Sequence, residues 1–115
     1  KIFIEEPFMF FNSGGSTAKT MAALQRFNGV VSWLCYDIFQ RTPQMISSMS
    51  ARKALGIKVP RGEKAKQKSF DFVVANEPNF VVEYTRNGNP KPAMFDKSDS
   101  WVIAKAGYLL CLNKN

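Results

Sequence analysis

The order of strand-like and helix-like segments limits this chain to an α/β or α+β domain. A β-branched and aromatic run at residues 1–6 precedes a helical pattern that extends to about Phe39, and residues 42–46 form a second strand-like run. Two more helical patterns, a hairpin-like segment and a last helix follow, so the predicted order is β-α-β-α-α-hairpin-α. This order supplies too few strands for a complete sheet.

Local signals predict where the first elements begin and end. The loop at residues 12–16 should connect an apolar exit at residues 8–11 to Ser16 or Thr17, which can cap the long helix. Residues 47–55 should form a short helix that ends at Gly56, and a further helix is expected over residues 63–75. The core stripe of the long helix is expected at Met21, Leu24, Val31, Leu34 and Ile38, widened by Phe27 and Trp33.

The last third of the chain is predicted as a hairpin followed by a buried helix. Residues 78–95 read as a hairpin whose turn lies at Asn87-Gly88-Asn89-Pro90 and whose second arm surrounds Met94. The last helix is expected to open at residues 96–99. Its apolar positions cover much of its circumference and should be well buried: Trp101, Val102, Ala104, Ala106, Leu109 and Leu110.

Length and composition indicate one folded domain, residues 1–115. The 115 residues are 45% hydrophobic and 22% charged, which excludes a disordered chain. The apolar runs are too short for a membrane span. Cys35 and Cys111 are far apart, so buried free thiols in a reducing cytoplasm are favoured over a disulfide.

The chain contains no histidine, which excludes histidine-assisted serine or cysteine nucleophiles and imidazole metal sites within it. Any chemistry must therefore depend on carboxylates, whose hard oxygens suit Mg²⁺ or Mn²⁺. The candidates are Glu5, at the end of the first strand, and Asp96 and Asp99, which share one face of a helix. The structural alternatives are solvation for Glu5 and capping of the first turn for the two aspartates.

A basic segment, residues 52–68, carries +6 of the net charge of +7. Such a concentration of charge is expected of a protein that binds a polyanion, although a solvated helix face explains it equally well. The loop at residues 12–16 can cradle a phosphate, but it lacks the lysine of a P-loop, and a plain connector is the simpler explanation. The basic residues of the segment are Arg52, Lys53, Lys58, Arg61, Lys64, Lys66 and Lys68.

Four segments in this order resemble the RuvC-type Holliday junction resolvases. They are Ile4-Glu5-Glu6-Pro7-Phe8 with the long helix after it, residues 51–56, residues 62–66, and residues 96–104, which begin with Asp96-Lys97-Ser98-Asp99. The resemblance implies an α/β, RNase H-like mixed sheet flanked by helices. It also implies a crossover junction endodeoxyribonuclease, acting as a homodimer on branched DNA with two Mg²⁺ or Mn²⁺ ions.

The resemblance also implies a role for each candidate residue. Glu5, Asp96 and Asp99 would be the catalytic metal ligands, and the basic segment would hold DNA near the scissile bond. The family carries a further aspartate on a strand ahead of the glutamate, so we expect this chain to be the C-terminal part of a larger nuclease domain that cleaves poorly alone. Residues 78–95 would then be an inserted hairpin.

Two other functions are compatible with these residues. One is a non-catalytic nucleic-acid-binding module that keeps the RNase H-like fold and the basic segment. The other is a protein-interaction domain in a phage or mobile-element complex, where the fold is only a scaffold. Metal binding distinguishes the nuclease from both of these. Salt-dependent DNA affinity distinguishes the nucleic-acid-binding module from the protein-interaction domain.

Overall fold

The computed structural model describes residues 1–7 and 18–113, which form two compact units, Lys1–Ser47 (unit 1) and Ser48–Asn115 (unit 2). The expected apolar exit, the residue 12–16 loop and the Ser16 or Thr17 cap lie outside the described residues. The elements are β1 (Phe3–Glu5), α1 (Ala18–Phe39), β2 (Gln44–Ile46), α2 (Ser48–Ala54), α3 (Ala65–Asn76) and α4 (Pro92–Leu112).

Unit 1 contains a two-stranded parallel sheet, which confirms both predicted strands. Ile4 lies opposite Met45, and the ladder is bounded by hydrogen bonds from Gln44 N to Ile2 O and from Glu6 N to Ile46 O, both 2.9 Å. Two parallel strands need a crossover connection, and the connection from β1 to β2 contains α1. The amide of Asn28 on α1 donates to the carbonyl of Glu5 at 3.3 Å, which ties the helix to the end of β1.

The helix α1 forms where its periodicity predicts, but the predicted burial of its apolar stripe is wrong. Met21 and Val31 are half-buried, whereas Leu24, Leu34 and Ile38 are exposed, Ile38 at 66%. The flanking Phe27 and Trp33 are exposed as well. Periodicity identifies a helix face, but it does not specify what covers that face.

Unit 2 is organised around α4, which packs against both α2 and α3. Its core joins Ala51 of α2, Phe70 and Val73 of α3, and the buried side of α4. On α4 the buried residues are Met94, Ser98, Val102, Ile103, Ala106 and Gly107. The small side chains among them let the helices approach closely, because a bulky residue there would hold the backbones apart.

The buried part of the circumference of α4 is smaller than the sequence predicted. Val102 and Ala106 are buried and Trp101 and Leu109 are half-buried, as one packed side requires. Ala104 and Leu110, however, are exposed. The helix therefore has one packed face, and its opposite face meets solvent.

The end of α2 is fixed by the glycine that the sequence singled out. Gly56 has φ +72°, a left-handed conformation that side chains with a Cβ adopt at a cost. Ile57 N donates to Arg52 O at 2.9 Å and Gly56 N donates to Lys53 O at 3.1 Å, the paired bonds of a Schellman motif. The turn therefore sets the position of Arg52 and Lys53 in the last turn of α2.

The last helix begins earlier than predicted. Its first residue is Pro92, with Lys91 as an extended N-cap residue, so Met94 belongs to α4 and not to a second hairpin arm. The predicted hairpin is reduced to one antiparallel bridge between Tyr84 and Pro90. A proline suits the first helical position, because its fixed φ is helical and that position needs no N–H partner.

Two further expectations can be compared with the described residues. Cys35 and Cys111 are free thiols, as favoured, but both are half-buried and not fully buried. None of the helices in residues 18–113 combines the length and apolar character needed to cross a bilayer. Among the described residues of unit 1 the sheet has two strands, and the RNase H-like architecture stays an expectation.

The core of unit 2 should depend on Met94, whose side chain is 1% exposed between packed helices. We expect Met94→Ala to lower the free energy of unfolding by about 2–5 kcal/mol, because it removes buried apolar atoms and leaves a cavity. Urea titration followed by circular dichroism measures the change. Met49→Ala is the control, since Met49 is 73% exposed on α2 and should change stability by less than about 0.5 kcal/mol. Equal losses in the two variants would contradict this description of the core.

Candidate functional site

The two aspartates of the candidate site lie in the second turn of α4. The helix begins at Pro92, and its first turn contains no acidic residue. Asp96 is the fifth helical residue and Asp99 follows three residues later, so both side chains project from one face. The capping explanation for these acids is therefore wrong, because the favourable effect of the helix dipole is confined to the first turn. We refer to Asp96 and Asp99 as the acid pair.

The acid pair shares one ammonium group. Lys66 Nζ, from the first turn of α3, lies 3.3 Å from Asp96 Oδ1 and 3.9 Å from Asp99 Oδ2. The nearer contact has hydrogen-bond geometry, with the ammonium donating. The packing of α3 against α4 brings these side chains together across 30 residues of sequence. Two carboxylates thus converge on one position where a cation is stable.

Asp99 is the more enclosed of the two acids. Its side chain is 21% exposed, against 76% for Asp96. Burial raises the pKa of the Asp99 carboxyl, and the neighbouring charge of Asp96 adds to the rise. The cations of Lys66 and Arg52 act in the opposite direction and favour the ionised form. Charges on α2, α3 and α4 therefore all influence Asp99.

Glu5, the third predicted ligand, lies in unit 1 at the end of β1. It borders a pocket of about 210 Å³ with Glu6, Pro7, Leu24, Phe27 and Asn28. Since the carbonyl of Glu5 accepts from Asn28, the backbone at this strand end is anchored to α1. Its placement with the acid pair of unit 2 stays a prediction.

The basic segment has two kinds of residue. Lys66 and Lys68 form ion pairs, Lys68 with Glu63 at 2.8 Å, and this bond raises the pKa of the Lys68 ammonium. Lys53, Lys58, Arg61 and Lys64 are exposed and Arg52 is half-buried. Much of the segment's charge therefore faces solvent around the start of α3.

Three of these bases border a groove in unit 2. Arg52, Lys53 and Lys58 surround a volume of about 430 Å³. The groove is otherwise mostly apolar, and its remaining lining residues are Met49, Gly56, Ile57, Val59 and Ala65. Positive charge around an apolar floor is compatible with a ligand that has both an anionic and an apolar part.

The donor set of the acid pair fits a hard divalent cation, because both of its members offer carboxylate oxygens. Oxygens of both carboxylates already lie within 4 Å of one cationic nitrogen, that of Lys66. Within residues 1–7 and 18–113, no group of three or more acidic or thiol side chains is placed to hold a metal. The fit therefore rests on the two carboxylates of α4.

Sequence reasoning missed the role of Lys66. It grouped Lys66 with the DNA-binding bases, whereas the ammonium lies against the acid pair. Periodicity relates residues one or two turns apart, and this contact joins two helices. An unmatched pair of acids on α4 and a lysine-rich start of α3 are the only signals that could have suggested it.

We expect the pKa of Asp99 to lie above its ordinary value of 3.8 and to rise further in Lys66→Met, because the ammonium stabilises the ionised carboxylate. With a raised folded-state pKa, this group's contribution to stability is largest below pH 3.8 and is lost as the pH rises through the folded-state value. Carboxyl-detected NMR titration measures the pKa directly. Lys97→Met, a neighbouring lysine on α4, should leave it unchanged. A fall in Lys66→Met would contradict the electrostatics described for this site.

Known proteins were compared with the chain at three levels. No protein-family model, no curated protein and no solved structure matches it. The functional interpretation of the acid pair and the basic segment therefore depends on the chemistry and placement of this chain's own residues.

Proposed function

We propose that this chain supplies carboxylates and phosphate-binding residues to a metal-dependent nuclease that cuts branched DNA such as Holliday junctions. The observation that carries the proposal is the convergence of Asp96 and Asp99 on one cationic position beside a strongly basic segment. A nuclease needs both features, since metal-binding acids must lie where a phosphate backbone is held. The preference for branched DNA comes from the resemblance to the RuvC-type resolvases.

The placement of the acids supports a functional role. Asp96 and Asp99 do not cap α4, and burial, together with the charge of Asp96, raises the pKa of the enclosed Asp99 carboxyl, while Lys66 and Arg52 oppose this rise. A pair of like charges held together is unfavourable unless cations lie beside it.

The lysines at the start of α3 support the phosphate-binding role. Lys64 is the N-cap residue, and Lys66 and Lys68 lie in the first turn of the helix. Cations at this end oppose the helix dipole, which is a cost to stability. A phosphate backbone placed there would meet the helix N-terminus and the exposed Lys64 together, which offsets this cost.

Asp96 and Asp99 would hold the divalent cation, with Glu5 as a third ligand according to the resemblance. The bound ion would supply an activated water and stabilise the charge that develops on the scissile phosphate. The residues of this chain would orient the substrate, because exposed bases around the groove contact successive phosphates while α4 keeps the acids in place. Dimerisation, which symmetric cutting of a junction requires, belongs to the same proposal.

The central test is cleavage of a four-way DNA junction with Mg²⁺. The chain and its Asp99→Asn variant are assayed side by side. We expect Mg²⁺-dependent cutting by the parent chain and a loss of about 10²-fold or more in Asp99→Asn, the scale seen when one charge-stabilising group is removed.

The matched control for this test is Asp71→Asn. Asp71 is an exposed acid on α3 that accepts a hydrogen bond from Gln67 at 2.9 Å, which an asparagine can retain. Its variant should cut within about twofold of the parent. Junction binding without any Mg²⁺-dependent cutting would favour the non-catalytic binding module, and full activity of Asp99→Asn would rule out the proposed site.

Salt dependence tests the basic segment. Replacing Lys53, Lys58 and Lys64 together by glutamine should weaken binding to DNA of any sequence. It should also reduce the slope of log K against log salt by about 0.9 for each phosphate of B-form DNA that the variant no longer neutralises. Fluorescence anisotropy at several salt concentrations measures both quantities.

Three other lysines of unit 2 provide a control with the same change in net charge. Lys91 pairs with Glu83 at 3.2 Å, Lys105 lies over the ring of Tyr108, and Lys97 is exposed on α4. Their joint replacement by glutamine should leave the slope nearly unchanged. Equal slopes for the two triple variants would mean that DNA binding depends on the net charge of the chain and not on the basic segment.

A further inference from the structure

Lys66 occupies the position where the two carboxylates of the acid pair meet. Its ammonium lies 3.3 Å from Asp96 Oδ1 and 3.9 Å from Asp99 Oδ2. Its backbone is held in place because Ser69, Phe70 and Val73, which follow it on α3, are buried. The acids are held equally well, since Ser98 and Val102 of α4 are buried beside them. The arrangement of backbones therefore presents this lysine to these acids.

The contact is easily exchanged. The side chain of Lys66 is 65% exposed and that of Asp96 is 76% exposed, so water can replace either partner. Exposed ion pairs contribute little to stability, because side-chain entropy and solvation offset their attraction. A divalent cation binds carboxylate oxygens at about 2.0–2.6 Å and carries twice the charge, so it can displace the ammonium.

We propose that Lys66 is a resident counter-ion that occupies the acid pair in the metal-free chain and competes with the divalent cation for it. This inference rests on the proposed function, in which the acid pair receives such a cation. The ammonium keeps Asp96 and Asp99 side by side and limits their mutual repulsion before the ion arrives. Metal binding releases it into solvent, which already surrounds its 65% exposed side chain.

If Lys66 competes with the metal ion, removing Lys66 should have the opposite effect on metal affinity from the one expected if it only supports the site. If Lys66 only stabilised the site, removing it would weaken metal binding or leave it unchanged. If Lys66 occupies the site, removing it eliminates a competitor and a positive charge close to the incoming ion. We therefore expect the affinity for Mn²⁺ to rise about three- to tenfold in Lys66→Met, the range set by removing an exposed ion pair and a nearby like charge.

The experiment titrates the 115-residue chain with Mn²⁺ at neutral pH and low salt, and detects free Mn²⁺ by electron paramagnetic resonance. Lys66→Met and Lys66→Gln are compared with Lys97→Met. The control removes the same charge from α4 itself, next to Asp96, but from a lysine that forms no ion pair with the acid pair among the described residues. It should bind Mn²⁺ within about twofold of the wild type, and circular dichroism confirms that each variant is folded.

The outcomes separate this inference from the proposed function. Tighter binding in both Lys66 variants and little change in Lys97→Met support the resident counter-ion. An equal gain in all three variants, or no gain in the Lys66 variants, would overturn it, while loss of binding in Asp99→Asn would still support the metal site. Absence of Mn²⁺ binding in every protein would overturn the inference together with the metal-binding part of the proposed function.

Discussion

Burial of one side of α4 against α2 and α3 determines where the charged groups of unit 2 lie. Met94, Val102 and Ala106 fix the rotation of α4, because turning the helix would expose them. With that rotation set, Asp96 and Asp99 emerge along the boundary with α3, where Lys66 begins the neighbouring helix. The hydrophobic contacts thus supply the positions, and electrostatics acts within the geometry that they define.

The site balances two opposing effects on its acids. Partial enclosure makes ionised Asp99 less favourable, whereas Lys66 and Arg52 make it more favourable. Full burial would favour a neutral carboxyl, which is a poor ligand for a hard cation, and full exposure would leave the oxygens hydrated and mobile. An acid at the edge of a helix interface stays oriented, and cations from two other helices favour its charged form.

Local sequence patterns predicted where the helices and strands lie better than they predicted which side chains are buried. Both strands, the extent of α1 and the glycine end of α2 followed from β-branched runs, helical spacing and Gly56. The start of α4 did not, because Asp96 was taken as a helix opening, although Pro92 four residues earlier is the stronger signal. The burial of α1 was wrong for a different reason, since Leu34 and Ile38 have helical spacing but are exposed.

The candidate site was predictable only in part, because sequence spacing and spatial contact carry different information. The spacing of Asp96 and Asp99 places them on one helix face whatever surrounds them. Their shared partner lies on another helix, and only packing selects Lys66 for that position from among the seven bases of residues 52–68. Charge composition shows that residues 52–68 are strongly basic. Packing determines which of their cations neutralises the acids.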